Sequence, residues 1–384
     1  MHYFVLINFV SIVCLHRGNA TAIFATLAKK FARMHVTILT RSPEKWCSRR
    51  NIGFVNEDLD YIKESEVRAT IDCITSDPAE CIPAADIIML AGLPGHLNPE
   101  VVQSLKLFLN PQKEFFIGSI STYGGFNWIV ESILGPGRYH IFGTQLIPWC
   151  CGTKKYGHTG VVFGAKRFLR IVSESGRDGV GIKDFMRDIL QIPDLRDCDF
   201  LCSLFWPNNP WIHPPILYGL FKDWDGTTPY RKSEVPTFIY KEMIGASAHY
   251  LDELNTELMA LVEAVSDAHP RNPHLRLNYN LQDCVIENYT DQIEDQSTMG
   301  STFITNKAFS GHTLPYTLVG QANGEDLVVP TLGHKVSAGW QAGFIPRDSI
   351  LMYTVCAWLV GESALTELAA LSPQTRTCLM FDVG

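Results

Sequence analysis

Short apolar runs alternate with amphipathic stretches along the first half of the chain. After Gly18, apolar side chains recur every three or four positions as far as Met34, which predicts a helix with one buried face. Strands are predicted on both sides of this helix. One is the apolar run that ends near Leu15, and the other is the β-branched segment "HVTILT" at residues 35–40.

The same alternation continues further along the chain. Strand candidates occupy residues 85–92, 114–120 and 139–144, and helix-like segments occupy residues 99–109 and 125–134. Strands and helices in alternation form a parallel sheet whose two faces are covered by helices. We therefore predict an α/β, Rossmann-type N-terminal domain with a doubly wound, mainly parallel sheet. Ligands on such sheets bind at the carboxyl ends of the strands.

The second half of the chain has a helical pattern. Apolar residues recur every three or four positions across residues 235–265, which predicts a core helix or a pair of helices. Residues 348–361 are apolar nearly all round, which predicts a buried helix, and the glycine-rich stretch 320–348 is expected to be a long functional loop. These features predict an all-α C-terminal domain, with the two domains at residues 1–200 and 201–384.

Charge and cysteine usage exclude several classes of protein. The net charge is −8 and no basic run is present, so nucleic acid is not expected as a partner. The eleven cysteines are odd in number and scattered, without a CxxC pair. This pattern argues against a zinc site or a disulfide framework, so no metal is expected, and it favours a reducing, cytoplasmic location. No apolar run reaches the roughly 18 residues of a membrane span, so no membrane partner is expected.

The first residues, "MHYFVLINFVSIVCL", admit two interpretations. They resemble the apolar part of a signal peptide, but no Lys or Arg precedes the run and it leads directly into the turn at Gly18. A buried first strand is the preferred interpretation.

The turn after this strand is in the position of a dinucleotide-binding turn. Gly18, Asn19 and Ala20 would place a pyrophosphate at the N-terminus of the first helix. Arg41 follows the second strand, where such folds contact the adenosine ribose. A cation there favours a 2′-phosphate, so NADPH is preferred and NADH stays open; the alternative for Arg41 is an ordinary exposed cation.

The same turn lacks the usual glycines. His16 and Arg17 stand where small residues are usual, and a positive φ at His16 would cost about 1 kcal/mol. Cofactor affinity is therefore expected to be weakened, while complete loss of binding and an erroneous N-terminal sequence both stay open. Pro94, just beyond the strand at 85–92, is a further predicted cofactor contact.

Five short segments along the chain occur in an order that points to one family. They are "GGFNW" at 124–128, "IFGTQLIPWCC" at 141–151 with "KYG" at 155–157, "NPWIHPPILYG" at 209–219, "NYTDQIEDQSTM" at 288–299 and "TNKAF" at 305–309. Through these segments the chain resembles the opine dehydrogenases, the octopine and nopaline dehydrogenase group. The resemblance covers nearly the whole chain and implies an oxidoreductase of amino acid metabolism.

The resemblance also implies a reaction, which is a reductive condensation. A 2-oxo acid, commonly pyruvate, condenses with the amino group of an amino acid, and hydride from NADH or NADPH reduces the imine. The implied partners are these two small molecules, and a monomer and a homodimer both stay open. Leu146 and Gly152 depart from the family pattern near the expected substrate site, so the amino acid is not specified.

His213 is the predicted acid–base residue. It occupies the Asn-x-x-x-His-Pro element that carries the catalytic histidine in similar enzymes, and Asn209 of this element is a predicted substrate contact. An imidazole suits the reaction because its unperturbed pKa of about 6.5 lets it gain and lose a proton near neutral pH. The alternative is a core histidine packed beneath Trp206 and Trp211.

The remaining substrate-site residues are implied by the resemblance. Asp348 is the carboxylate partner of His213, and its alternative role is a helix cap. The family's arginine for the 2-oxo acid carboxylate is missing from its expected place, so Lys335 and Arg347 are both candidates for that contact. Gln145 is assigned to the same substrate site.

Two other functions stay open. One is a relative with an impaired cofactor site that binds a metabolite or a protein without turnover. The other is a two-domain dehydrogenase that reduces a simple 2-oxo acid without an amine.

Overall fold

The computed structural model describes residues 11–16, 19–57, 62–91, 93, 97–123, 125–173, 179–207, 209–314 and 316–330. The chain divides into two compact units, Met1–Trp206 and Pro207–Gly384. The assignment of residues 1–200 to the cofactor and 201–384 to the substrate stays a prediction. In the described part, no helix is both long enough and apolar enough to cross a membrane.

The described residues of the first unit include twelve strands and five α-helices. The strands are β1 Ser11–His16, β2 His35–Leu39, β3 Asn51–Asn56, β4 Glu66–Thr70, β5 Cys73–Thr75, β6 Ile87–Ala91, β7 Phe115–Ile120, β8 Tyr139–Thr144, β9 Trp149–Lys155, β10 Thr159–Ala165, β11 Phe168–Ser173 and β12 Asp194–Cys198. The helices are α1 Asn19–Lys30, α2 Asn98–Lys106, α3 Phe126–Leu134, α4 Gly179–Leu190 and α5 Phe200–Phe205.

The main sheet has the strand order β12-β11-β8-β7-β6-β1-β2-β5. From β5 to β8 every neighbouring pair is parallel, and β11 joins β8 antiparallel. The order of the six parallel strands is that of a doubly wound dinucleotide fold, with a switch point between β1 and β6. Ile12 and Cys14 of β1 are completely buried, as expected for a central parallel strand. The predicted N-terminal fold is confirmed.

A second sheet, with strand order β4-β3-β10-β9, was not predicted. Its strand β9 begins with the buried Trp149 but ends in exposed residues up to Lys155, so it lacks regular apolar alternation. β3 is pressed so closely against β4 that a Cβ atom at Gly53 would lie 2.1 Å from the Val67 carbonyl oxygen. Contacts between strands, which local periodicity does not contain, define this sheet.

The described residues of the second unit are mainly helical. The helices are α6 Asn209–Phe221, α7 Gly245–Ala268, α8 Leu281–Tyr289 and α9 Met299–Ile304, and the strands are β13 Tyr230–Arg231, β14 Tyr316–Ala322 and β15 Glu325–Pro330. The predicted helical C-terminal region is confirmed, with one small antiparallel sheet, in the order β13-β15-β14, added to it.

The long apolar pattern at 235–265 forms one helix with a later start. α7 begins at Gly245, and its buried face includes Leu251, Leu258 and Val265. Residues 235–244 consist mainly of turns, so the prediction of a helix from residue 235 was wrong at that end. Spacing alone does not separate a helix from apolar turns that pack on the same core.

The prediction of a long loop at 320–348 was wrong for residues up to 330. This part contains the end of β14 and the whole of β15, joined at Asn323 and Gly324. Both turn residues have positive φ, at 54° and 81°, as a two-residue hairpin turn requires. The Asn-Gly pair was therefore the local signal for a hairpin, and the high glycine content obscured it. Residues 331–348 lie outside the described residues, as does the predicted helix at 348–361.

Candidate active site

Helix α6 carries the predicted catalytic histidine and packs tightly against α7. A Cβ atom at Gly219 would lie 2.5 Å from the backbone of Ser247, so only glycine allows this approach. The Ser247 hydroxyl donates a hydrogen bond to the Ile216 carbonyl at 2.8 Å. Pro214 and Pro215 lie inside α6, although proline removes a helical N–H group. The contacts at Ile216 and Gly219 hold α6 in place within two turns of His213.

His213 lies half-buried on α6. Its Nε2 atom is 2.7 Å from the Tyr240 hydroxyl oxygen. Burial lowers the pKa of His213 to about 4, and the positive charge that His312 can carry contributes in the same direction. The imidazole is therefore neutral at pH 7 in this state of the protein.

Tyr240, which contacts His213, belongs to a cluster of aromatic rings. Its ring centroid lies 4.6 Å from that of Phe309, 5.9 Å from that of Phe303 and 5.6 Å from that of His312. The Ile239 amide donates to the His312 carbonyl at 3.0 Å, which fixes the two chain segments together. Phe309 comes from the "TNKAF" segment, so this family-like segment forms part of the support for the histidine.

The β1–α1 connection corresponds to the predicted cofactor turn. Ala20 is buried, and the Thr21 hydroxyl is buried and donates to the Ala91 carbonyl of β6 at 2.7 Å. This bond holds the start of α1 across the switch point of the sheet. α1 begins at Asn19 at the carboxyl end of β1, and the N-terminus of a helix in this position is a general binding place for anions.

The condition for backbone strain at His16, a positive φ, is not met. His16 is the last residue of β1 and pairs with Ala91 of β6, so it is extended like the rest of the strand. The sequence comparison with a glycine-rich turn had placed it inside the turn. Because the strand continues through this position, a side chain there does not require a left-handed conformation.

Arg41 is exposed just beyond β2, at the carboxyl edge of the parallel strands. This is the predicted place for contact with the adenosine ribose, and its role stays a prediction. Gly18 and Pro94 lie outside the described residues.

Gln145 follows β8 and is completely buried. Its side-chain oxygen accepts a hydrogen bond from the backbone N–H group of Arg170 at 2.6 Å. The backbone N–H group of Gln145 donates to the Arg170 carbonyl at 3.2 Å. In the described part of the chain, its side-chain nitrogen has no acceptor. The side-chain oxygen of Gln145 therefore links β11 to the end of β8. The side-chain nitrogen is the polar atom left for the predicted substrate contact.

The other predicted substrate residues are not described in full. Asn209 begins α6, but its side chain lies outside the described residues, as do Lys335, Arg347 and Asp348. Their roles stay predictions.

Sequence reasoning missed two residues at this site, Tyr240 and His312. Both are brought to His213 by tertiary contacts, at sequence separations of 27 residues for Tyr240 and more for His312. No local motif marks either position. A buried polar residue at the end of an apolar run, as in "FIYKEM", was the available signal for Tyr240.

A third missed feature is Ser121, which follows β7. Its φ of 74° is left-handed although it is not glycine, and its amide donates to the Thr144 hydroxyl at 3.0 Å. Strained non-glycine residues of this kind cluster at functional sites, and Ser121 lies at the carboxyl end of a parallel strand.

Comparison with known proteins identifies the relatives of this chain. The family model described as "NAD/NADP octopine/nopaline dehydrogenase, alpha-helical domain" matches residues 197–322. The opine dehydrogenase of Haliotis discus hannai is 23% identical over 321 residues, which are 80% of this chain and 77% of that protein. The octopine dehydrogenase of Mizuhopecten yessoensis is 24% identical over 313 residues, which are 79% of this chain and 76% of that protein.

A solved structure of octopine dehydrogenase in complex with NADH and agmatine has the same fold. Its TM-score with this chain is 0.69 at 21% identity, and the alignment covers 97% of this chain and 88% of that one. The fold consists of a doubly wound sheet followed along the chain by a mainly helical region that carries the motif histidine. The family model over residues 197–322 and these relatives support the opine dehydrogenase family. The predicted family, the class of oxidoreductase and the nicotinamide cofactor are confirmed.

Proposed function

We propose that this protein is an NAD(P)H-dependent opine dehydrogenase, which condenses a 2-oxo acid with the amino group of an amino acid. Pyruvate is the first candidate for the 2-oxo acid. The observation that carries the proposal is the setting of His213. The histidine of the family-like element lies half-buried on α6, with its Nε2 atom 2.7 Å from a tyrosine hydroxyl.

The start of α1 suits a dinucleotide. The N-terminus of α1 meets the carboxyl edge of the parallel strands, and Thr21 ties it to β6. Arg41 lies beyond β2, where a 2′-phosphate would meet a cation. The bound nicotinamide supplies the hydride. Together these residues would hold the cofactor, with the choice between NADH and NADPH resting on Arg41.

The condensation requires a proton on the oxygen that leaves. The amine nitrogen attacks the keto carbon, and the resulting hydroxyl departs as water once it has been protonated, which leaves an imine. Addition of hydride to the imine carbon and of a proton to nitrogen gives the secondary amine of the opine. His213 is the group that protonates the departing oxygen, since an imidazole is the side chain of the family-like element suited to proton transfer near neutral pH.

An imidazole that is neutral at pH 7 must gain a proton before it acts as an acid. The 2-oxo acid brings a carboxylate, and an anion close to His213 raises its pKa. Asp348, the proposed partner, would act in the same direction. Lys335 or Arg347 would bind the substrate carboxylate. In this scheme His213 takes up its proton when the substrate arrives, so acid catalysis begins only in the loaded enzyme.

The test is a screen of NADH and NADPH oxidation. Pyruvate and 2-oxoglutarate are each combined with a panel of amino acids, and the product is identified by mass spectrometry. Oxidation that needs both substrates, with formation of the N-carboxyalkyl amino acid, supports the proposal. Oxidation with the 2-oxo acid alone, unaffected by amino acids, identifies a simple 2-oxo acid dehydrogenase. Failure to bind either nucleotide at millimolar concentration identifies a relative with an impaired cofactor site.

The proposal includes a cytoplasmic location, which rests on the odd number and scattered positions of the eleven cysteines. The oligomeric state is proposed as monomer or homodimer.

A further inference from the structure

The hydroxyl of Tyr240 is placed where it can control the protonation of His213. Its oxygen is 2.7 Å from His213 Nε2, a distance typical of a strong neutral hydrogen bond. The two ring centroids are 6.0 Å apart with planes inclined at 39°, so the rings are not stacked. The hydroxyl and Nε2 therefore form the specific contact between these side chains.

The direction of this hydrogen bond follows from the chemistry of the two groups. A neutral imidazole has one nitrogen that donates and one that accepts, and burial keeps His213 neutral at pH 7. The lone pair of an imidazole nitrogen is a much better acceptor than a phenol oxygen, whereas a phenol is a good donor. Tyr240 therefore donates to Nε2, and the proton of the neutral ring is on Nδ1.

The position of Tyr240 is fixed independently of His213. Its side chain is 94% buried and packs on Phe309, Phe303 and His312. The Met243 amide donates to the Tyr240 carbonyl at 3.1 Å. Because the Tyr240 ring is held by this packing, its hydroxyl occupies a fixed position. The hydroxyl therefore orients the His213 imidazole.

We propose that Tyr240 is a positioning residue for the condensation, which fixes the His213 ring through Nε2 and selects the Nδ1–H tautomer, so that Nδ1 faces the site of proton exchange. This inference rests on the proposed function. When Nε2 gains a proton, the same hydroxyl oxygen turns from donor to acceptor, so the ring keeps its orientation in both protonation states. Nδ1 is then the ring nitrogen through which His213 exchanges its proton with the departing oxygen.

A tyrosine with a merely structural hydroxyl occurs in the same unit and serves as the control. Tyr279 is completely buried, and its hydroxyl donates to the His274 carbonyl at 2.6 Å. Tyr240→Phe and Tyr279→Phe make the same chemical change, the loss of one buried hydroxyl. They differ in that the first removes a partner of His213 and the second does not.

The first measurement is the tautomer of His213 in the full-length wild-type protein at pH 7. Two-bond ¹H–¹⁵N correlation spectra of protein labelled at histidine report which nitrogen carries the proton, and the His213→Gln spectrum assigns the signal. We expect a single Nδ1–H tautomer in the wild type and in Tyr279→Phe, and a mixture of tautomers in Tyr240→Phe. A wild-type His213 with its proton on Nε2 overturns the inference without any variant.

The second measurement is steady-state kinetics with the substrate pair found in the screen. We expect Tyr240→Phe to lower kcat at least about tenfold with KM within about twofold, and Tyr279→Phe to change neither. A Tyr240→Phe enzyme with wild-type kcat, or with lowered kcat and an unchanged tautomer, overturns the positioning role. If the wild type condenses no substrate pair, the proposed function has failed, whereas the tautomer spectra still show whether Tyr240 governs His213.

Discussion

Gly219 of α6 lies so close to Ser247 of α7 that a Cβ atom on the glycine would come within 2.5 Å of the serine Cα and N atoms. The contact falls on backbone atoms, which do not move aside as a flexible side chain does. Six residues before this contact in the chain, α6 carries His213. The packing of α6 on α7 and the placement of the histidine are therefore connected.

Gly219→Ala is expected to destabilise the protein by about 1–3 kcal/mol, because the added methyl group overpacks a contact between two backbones. The matched control is Gly245→Ala in the first turn of α7, where an added Cβ atom meets no other atom within 4 Å. That change is expected to be neutral or slightly stabilising. Urea unfolding of both variants measures the difference, and equal midpoints would contradict the packing argument.

His213→Ala is expected to lower kcat for the condensation at least about 100-fold, since it removes the proposed proton donor. His249→Ala is the control, because His249 is an exposed histidine on α7 whose ring nitrogen lies 3.4 Å from Glu253. Turnover is measured as NAD(P)H oxidation at saturating substrates. Near-normal turnover of His213→Ala would remove this residue from the mechanism.

The stability of the protein is expected to depend on pH through His213. Its pKa is about 4 in the folded protein and about 6.5 in an unfolded chain, so between these values the unfolded state binds more protons. The free energy of unfolding therefore rises with pH across this window. The contribution of His213 is fully present above pH 6.5 and is lost as the pH falls to 4.

This dependence is measured by comparing the wild type with His213→Gln, which stays neutral. As pH falls through the window, the wild type is expected to lose at most about 3 kcal/mol of unfolding free energy relative to the variant. Chemical unfolding at several pH values tests this. Parallel curves for the two proteins would mean that the pKa of His213 is not lowered in the folded state.

Arg41→Ala is expected to raise the Kd for NADPH about tenfold or more while leaving the Kd for NADH nearly unchanged, because the proposed partner of Arg41 is the 2′-phosphate. Arg49→Ala changes another exposed arginine of the same unit and serves as the control. Protein fluorescence titrations give the Kd of each variant for NADPH and for NADH, for comparison with the wild type. Equal losses for both nucleotides would assign Arg41 to a general electrostatic role.

The order of strands and helices in the main sheet was predictable from the sequence because its signals are local. The run from β1 through α1 to β2 has the spacing of a buried strand, an amphipathic helix and a second strand, and the structure has these elements at nearly the predicted residues. His213 was also predicted from a local element, through the family resemblance. Each of these inferences uses residues that are neighbours in the chain.

The error at residues 320–330 has a different origin. The Asn323-Gly324 pair is a local hairpin signal, but it lies in a stretch whose glycine content is typical of a loop. β15 lies in the middle of its sheet, paired with β13 as well as with β14. The second pairing joins segments far apart in the chain, and no local pattern contains it.

The sequence by itself determined the alternation of strands and helices in the first half, the helical second half and the histidine of the family-like element. Only the tertiary structure decided what surrounds that histidine. Tyr240 reaches Nε2, and burial together with His312 lowers the pKa of the ring, because turns and the packing of α6 on α7 bring distant segments together. Periodicity records which face of an element is buried, whereas a hydrogen bond of 2.7 Å depends on how the elements dock.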